Sequence, residues 1–301
     1  MDGILNIYKP KGKTSHDMVN ILRRALNTKK IGHTGTLDPL AEGVLPLCVG
    51  KATRVSQYML DKEKEYVGEL KLGISTDTYD SEGKEVKSRL VSVTENQILD
   101  AVDSFKGELL QKPPIYSALK VRGKKLYEYA REGVEVEIEP RRVVIHDIEI
   151  VSIQIPYVKI RVGCSKGTYI RSLFNDIGEK LGCGAHMTSL IRTKSGYFSV
   201  DDAITLDKLE KMDVEAIAGK LYPTDFPLKD FPKILIDPDS KKYLVNGNVL
   251  YGRNLMEPID TLAEGQKVLL YCLDRFYGIG EIIVEDKINK IKPKCIFNEE
   301  K

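Results

Sequence analysis

The period of the hydrophobic positions changes several times along this chain, and the changes mark its elements. Residues 3–12, "GILNIYKPKG", form a short apolar run closed by a Lys-Pro-Lys-Gly turn, the mark of a strand. In "HDMVNILRRAL", Met18, Ile21, Leu22, Ala25 and Leu26 recur at helical spacing, with Ser15 as the expected N-cap. Residues 31–50 end as an apolar strand, and "EYVGELKLGIST" alternates imperfectly, as a strand does. "DTYDSEGK" is a polar turn cluster. "TENQILDAVDSFKG" has a capping box from Thr94 to Gln97, a helical stripe and a closing Gly107. "KKLYEYAREG" predicts a short helix stopping at Gly133. Residues 135–164 predict sheet, followed by a helix from near Tyr169 to Gly182 and another in "TLDKLEKM".

Strands and helices are interspersed without a βαβ rhythm, which predicts an α+β fold with a mixed, mainly antiparallel sheet. Composition shifts at "YPTDFPLKDFPKILIDP", where Pro223, Pro227, Pro232 and Pro238 give the density of a linker. Short strands and turns follow, predicting a small all-β module. The expected domains are therefore 1–228 and 229–301.

At 301 residues the chain is long enough to bury a core without staples. No apolar run approaches the roughly 18 residues of a membrane span. "MDGILNIYKPKGKTSHD" has no uninterrupted apolar segment, so no secretory signal is expected. Cys48, Cys164, Cys183, Cys272 and Cys295 are scattered and odd in number, as reduced thiols of a cytoplasmic protein are. His16, His33, His146 and His186 fit no zinc pattern, and no phosphate-binding glycine loop is present. Neither a metal nor a cofactor is expected. Net charge is +2, which by itself says nothing of nucleic acid. The distribution says more. Residues 9–30 carry seven basic side chains and one acid, and residues 112–131 carry six and one. Such segments are either solvated faces or a local positive surface for phosphates.

Candidate chemistry centres on "IGHTGTLDPLAEGVLPLCVG". Pro39 forces Asp38 into extended backbone, and Gly32, Gly35 and Gly43 permit sharp turns or close approach of a ligand. Asp-Pro is also a common turn starter, and these residues alone leave both readings open. In "CSKGTYIRSLFNDIG", Lys166 and Arg171 flank a Gly-Thr-Tyr turn opening a helix. Arg171 is either a surface arginine near a cap or a bidentate partner for a carboxylate. "PPIYSALKVRGKKLYEYAR" interleaves Tyr116, Tyr127 and Tyr129 with basic residues. That suits RNA phosphates and bases, or a tyrosine stripe packing inward.

Taken together these segments resemble the TruB family, the bacterial tRNA pseudouridine-55 synthases. "KPKGKTSHD" is similar to its first motif and "GHTGTLDPLAEGVLPLCVGKATR" to its catalytic motif. "KEYVGELKLGISTDTYDSEG" resembles the segment with the active-site tyrosine, "CSKGTYIRSL" the arginine motif, and "GCGAHMTSLIRTKSG" the last. The resemblance runs from Gly3 to Gly196, with the motifs in order. The C-terminal part resembles the family's small PUA-like domain more loosely.

The resemblance implies a catalytic domain of the pseudouridine synthase type, with an RNA-binding insertion at about 121–142. It implies that Asp38 is the essential carboxylate, that Arg171 pairs with it, and that Tyr66 stacks on the uracil and exchanges the C5 proton. It makes His33 the side chain that fills the space of an extruded nucleotide, and Leu190 an apolar wall. Lys9 and Tyr169 complete the expected substrate site, with Lys9 and Pro10 supporting the active-site loop. Uridine would be flipped out of the RNA, at a cost of a few kcal/mol that the pocket must offset. The implied partner is the T-arm of tRNA, read by a monomer without guide RNA. Two rivals remain. A guide-dependent, dyskerin-type relative shares the Asp38 motif but lacks an insertion like "GKKLYEYAREGVEVEIEPRRV". A non-catalytic RNA-binding module would have lost Asp38, Tyr66 or Arg171.

Overall fold

The computed structural model describes residues 1–134 and 136–297. Glu135 of the expected insertion and the acidic tail at 298–301 lie outside the described residues. The chain forms two compact units. One comprises Leu5–Leu47 and Leu60–Lys220; the other joins Met1–Ile4 and Cys48–Met59 to the residues from Leu221 onward.

The larger unit is built on a nine-stranded sheet. Its main path runs Gly3–Lys9, Glu42–Val49, Ala185–Ser195, Lys64–Leu72, Tyr157–Cys164, Arg141–Gln154, Gly107–Gln111. Ala185–Ser195 pairs parallel to Glu42–Val49 and antiparallel to Lys64–Leu72. The pairings from Lys64–Leu72 out to Gly107–Gln111 are antiparallel. The expected mixed, mainly antiparallel α+β fold is what the chain adopts. Glu42–Val49 is buried at all but its first residue, hence its continuous apolar sequence. Tyr157–Cys164 alternates instead, burying Val158, Ile160, Val162 and Cys164 on one face.

The helix Ile170–Lys180 packs on the sheet, chiefly against Ala185–Ser195, and buries Leu173, Phe174 and Ile177, each 0 % exposed. Each such side chain contributes about 1.5–3 kcal/mol on burial. Gly68 makes room for it, because a Cβ there would stand 2.8 Å from the Phe174 ring.

Helix Ser15–Ala25 starts one residue earlier than expected. Thr14, not Ser15, is its N-cap, in a reciprocal capping box with Asp17. Ser15 is buried and turned inward, where its hydroxyl accepts from Leu37 N at 2.8 Å and donates to Leu37 O at 3.1 Å. A hydroxyl read as a cap thus clamps the residue preceding Asp38. The sheet expected to begin at 135 begins at Arg141, since Glu137–Pro140 make no ladder bonds.

The smaller unit carries a four-stranded sheet, Lys233–Ile236, Lys267–Cys272, Arg275–Glu285 and Ile288–Ile296, the first pair parallel and the rest antiparallel. Ile236, Leu244, Leu250, Val268, Leu270, Ile282 and Ile291 form its core. The C-terminal region is predominantly β, as expected, with one short helix at Lys241–Val245. The expected proline-rich linker is structured. It contains the helical turn Phe226–Leu228 and the strand Lys233–Ile236, and Leu228 is fully buried. Proline density reports restricted φ, which serves a tight turn and a strand edge as well as it serves a spacer.

Candidate active site

Asp38 sits in the loop between the strands Ile31–His33 and Glu42–Val49. Several contacts fix this loop. Leu37 is clamped by Ser15, Ala41 N donates to Asp38 O at 3.1 Å, and Gly12 N donates to Pro39 O at 2.8 Å. The Lys9 ammonium is fully buried and donates to Lys13 O at 2.6 Å, Pro10 O at 3.0 Å and Pro39 O at 3.4 Å. Burial pushes its pKa down to about 8, against the pull of Asp38. Gly43 is also required. Its φ is +105°, and a Cβ there would lie 2.3 Å from Arg192 O.

Arg171 reaches Asp38 from the first turn of the helix Ile170–Lys180. Its Nη2 lies 3.1 Å from Asp38 Oδ2 and donates to Tyr116 O at 2.9 Å. Its Nη1 lies 3.7 Å from Asp80 Oδ2. The arginine is therefore the buried cation between two carboxylates, not a surface residue. Gln111 fixes the helix start, accepting from Tyr169 N at 2.8 Å and donating to Tyr169 O at 3.0 Å. Burial pushes the Asp38 carboxyl above the usual carboxylate range; Arg171 opposes this and Asp80 adds to it. The Asp38 side chain keeps 39 % of its surface open, toward the cavity.

That cavity encloses about 290 Å³. Asp38, Tyr66, Tyr169, Arg171, Leu190 and Arg192 are among its walls. Tyr66 comes from the strand Lys64–Leu72, where it pairs with Val162 on one side and Arg192 on the other. Burial pushes its phenol above the usual range, with Arg192 opposing. The structure thus brings five of the seven expected site residues to one cavity. His33 and Lys9 are not on its wall. His33 is half-buried, its Nδ1 has no hydrogen-bond partner, and its pKa is lowered, first by burial and then by Arg192 and His16. Lys9 holds the loop carbonyls already named.

Two charged residues of this site were not singled out from sequence. Asp80 lay within a polar turn cluster, yet it is 4 % exposed. Its Oδ1 accepts from Thr78 Oγ1 at 2.6 Å and Glu82 N at 3.1 Å. Arg192 lay in a strand among other polar residues, yet it is 1 % exposed. Neither has a local signal that separates it from a solvated charge.

The expected insertion is a hairpin, Lys120–Val121 with Lys124–Lys125, leading into the helix Leu126–Arg131. Arg122 and Gly123 both have positive φ, which suits a two-residue turn. Lys124 lies 4.9 Å from the Tyr129 ring, and Lys125 and Arg131 lie 5.3 and 5.5 Å from the Tyr127 ring. Leu126 alone is buried in this helix, while the tyrosines are half-exposed with cations over them. No described helix is long and apolar enough to cross a membrane. Among the described residues no group of three or more His, Cys, Asp or Glu is arranged to hold a metal ion.

The carboxylate–arginine pair beside this cavity sits on a mixed sheet whose class the known relatives identify as that of the pseudouridine synthases. The family model "TruB family pseudouridylate synthase (N terminal domain)" matches residues 23–170, and "tRNA pseudouridylate synthase B C-terminal domain" matches 171–229. A protein named tRNA pseudouridine synthase B from Alkaliphilus oremlandii is 49 % identical over 292 residues, 96 % of each chain. Its namesake from Clostridium acetobutylicum is 48 % identical, over 95 % of this chain and 97 % of that one. Among solved structures, one titled "Structure of H/ACA RNP bound to a substrate RNA containing 2'-deoxyuridine" aligns with a TM-score of 0.74 at 28 % identity. That alignment covers 98 % of this chain and 85 % of the other. The chain belongs to the TruB family of pseudouridylate synthases.

Proposed function

We propose that this chain converts uridine-55 in the T-loop of tRNA to pseudouridine, acting alone, as a monomer and without guide RNA. Family membership makes it an isomerase that pseudouridylates tRNA, and its curated relatives are named for that activity. The observation that carries the catalytic part of this reading is the Asp38–Arg171 pair, 3.1 Å apart, opening onto a cavity of about 290 Å³. That volume lies at the small end of ligand sites, about 300–1,000 Å³, and suits one flipped nucleotide.

In this reading the C1′–N1 bond breaks, the uracil turns, and a C1′–C5 bond forms. C5 gives up a proton and N1 carries one in the product, so no atoms are gained or lost. Asp38 acts as nucleophile or base and must be ionised. The adjacent guanidinium favours that form although burial opposes it. Tyr66 stacks on the uracil and handles the C5 proton, and Leu190 and Tyr169 bound the base. His33 fills the place the nucleotide leaves, and Lys9 holds the loop.

The basic, tyrosine-bearing insertion supports a stand-alone reader of one RNA arm, by phosphate contact and base stacking. The free thiols of all five cysteines support a reducing, cytoplasmic setting.

The test is pseudouridine mapping on an isolated T-arm stem-loop with purified protein. Conversion is expected at one uridine, and Asp38→Asn should abolish it by several orders of magnitude while RNA binding survives. Conversion only within a guide-containing complex, or near-normal turnover by Asp38→Asn, would overturn the reading.

A further inference from the structure

Burying an arginine is costly unless its N–H groups are used. Arg192, in the strand Ala185–Ser195, is 1 % exposed and lines the Asp38 cavity. Its Nε donates to Val44 O at 2.7 Å and its Nη2 to Gly35 O at 3.2 Å. These bonds tie the glycine-rich loop to the strand behind it. Across the sheet Arg192 is the register partner of Tyr66. Directly opposed residues project to the same face, so guanidinium and phenol share one wall of the cavity. Lys64, the other cation on that wall, is engaged elsewhere, its ammonium donating to the carbonyls of Leu60 and Lys62.

We propose that Arg192 is the positioning residue of Tyr66, aiming the phenol oxygen at uracil C5 and stabilising the oxyanion that removes the C5 proton. This rests on the reading of Tyr66 as the group that handles C5. The step balances. The phenol proton leaves to solvent, and the phenolate takes the C5 proton. The C–H electron pair restores the C5=C6 bond, the N1=C6 π pair that formed when C5 joined C1′ returns to N1, and N1 takes its proton from solvent. A neutral phenol is too weak a base for this, so the phenolate must be accessible in a buried setting. Burial raises the Tyr66 pKa, and Cys164 and Asp38 raise it further; the Arg192 charge is the largest influence in the other direction. The same guanidinium orients the loop on one side and the phenol on the other, coupling the position of Asp38's loop to that of Tyr66.

The experiment compares the parent chain with Arg192→Gln, Arg192→Lys, Tyr66→Phe and the Tyr66→Phe/Arg192→Gln double variant. Single-turnover conversion of a T-arm stem-loop is followed with C5-protiated and C5-deuterated uridine, alongside RNA affinity. Arg192→Gln should bind RNA as the parent does and convert it roughly 100-fold more slowly, within the range of a lost general base. Its deuterium effect should rise, because proton removal has become limiting. Arg192→Lys keeps a cation but loses donors, and should fall roughly 10-fold with the same rise. The Gln substitution should add nothing in the Tyr66→Phe background.

The proposal fails if a folded Arg192→Gln stays within about threefold of the parent. It also fails if the rate drops with no change in the isotope effect, or if the two losses add. Should Arg192→Gln not fold, Arg192→Lys carries the same isotope test, and parent-like behaviour would overturn the proposal. A parent chain that converts no uridine would instead remove the reading of function, leaving the two failures distinct.

Discussion

Arg171→Gln should cost this protein stability in a manner that depends on pH. The guanidinium stands 3.1 Å from Asp38 and 3.7 Å from Asp80, and its side chain and that of Asp80 are each 6 % exposed. Removing one partner from a buried ionic group leaves an uncompensated charge, at about 3–5 kcal/mol. The lower end applies, about 3 kcal/mol, because the Asp38 side chain is 39 % exposed and partly screened by water. Glutamine keeps a donor for Tyr116 O, so the loss is mainly electrostatic.

The sign with pH follows from Asp38. Burial holds its folded pKa above the ordinary carboxylate value, so folding disfavours its ionised form. Without Arg171 that penalty grows. It is fully present above the raised folded pKa and vanishes as pH falls through the ordinary carboxylate range, below which Asp38 is protonated in both states. The stability gap between parent and variant should therefore be widest near neutrality and narrow in mild acid. Urea unfolding at both conditions measures it. A gap below about 1 kcal/mol near neutrality, or one that widens in acid, would refute the reasoning.

Other outcomes follow from the same geometry. The single-turnover rate should fall as pH drops through the raised pKa of Asp38, with a midpoint above the ordinary carboxylate range; a midpoint within that range would contradict the burial argument. Tyr66→Phe should retain RNA affinity yet lose conversion, and full turnover would exclude a role for the hydroxyl. Gly43→Ala should lose about 3 kcal/mol or more in thermal or urea unfolding, because it forces a side chain into φ +105° and onto the Arg192 backbone. Replacing Lys124, Lys125 and Arg131 by alanine should weaken RNA binding and flatten its salt dependence by about 0.7–0.9 per lost phosphate contact; an unchanged slope would exclude these contacts.

What could be read from the sequence is what neighbouring residues decide. The stripe Met18, Ile21, Leu22 and Ala25, the capping box at Thr94, and the alternation through Tyr157–Cys164 each follow from backbone periodicity within a dozen residues. Even there, one-residue questions went to tertiary contacts. Thr14 and Ser15 are equally good caps locally, and Ser15 is drawn inward by Leu37, 22 residues away. The proline-rich stretch after Tyr222 looked like a spacer because its strand pairs with Lys267–Cys272, a partner more than thirty residues downstream.

The candidate site divides in the same way. Asp38, Tyr66, Arg171 and Leu190 stand in motifs specific enough to be recognised, and they meet in one cavity. Asp80 and Arg192 do not announce themselves. A charge in a turn or strand has the same sequence whether it faces water or a buried partner. Sheet register set Arg192 opposite Tyr66, and a helix start about 90 residues away set Arg171 against Asp80. Local sequence fixes backbone preference, worth tenths to about one kcal/mol per residue. Which charges are buried together depends on long-range pairing worth several kcal/mol, and only the folded chain brings those partners within reach.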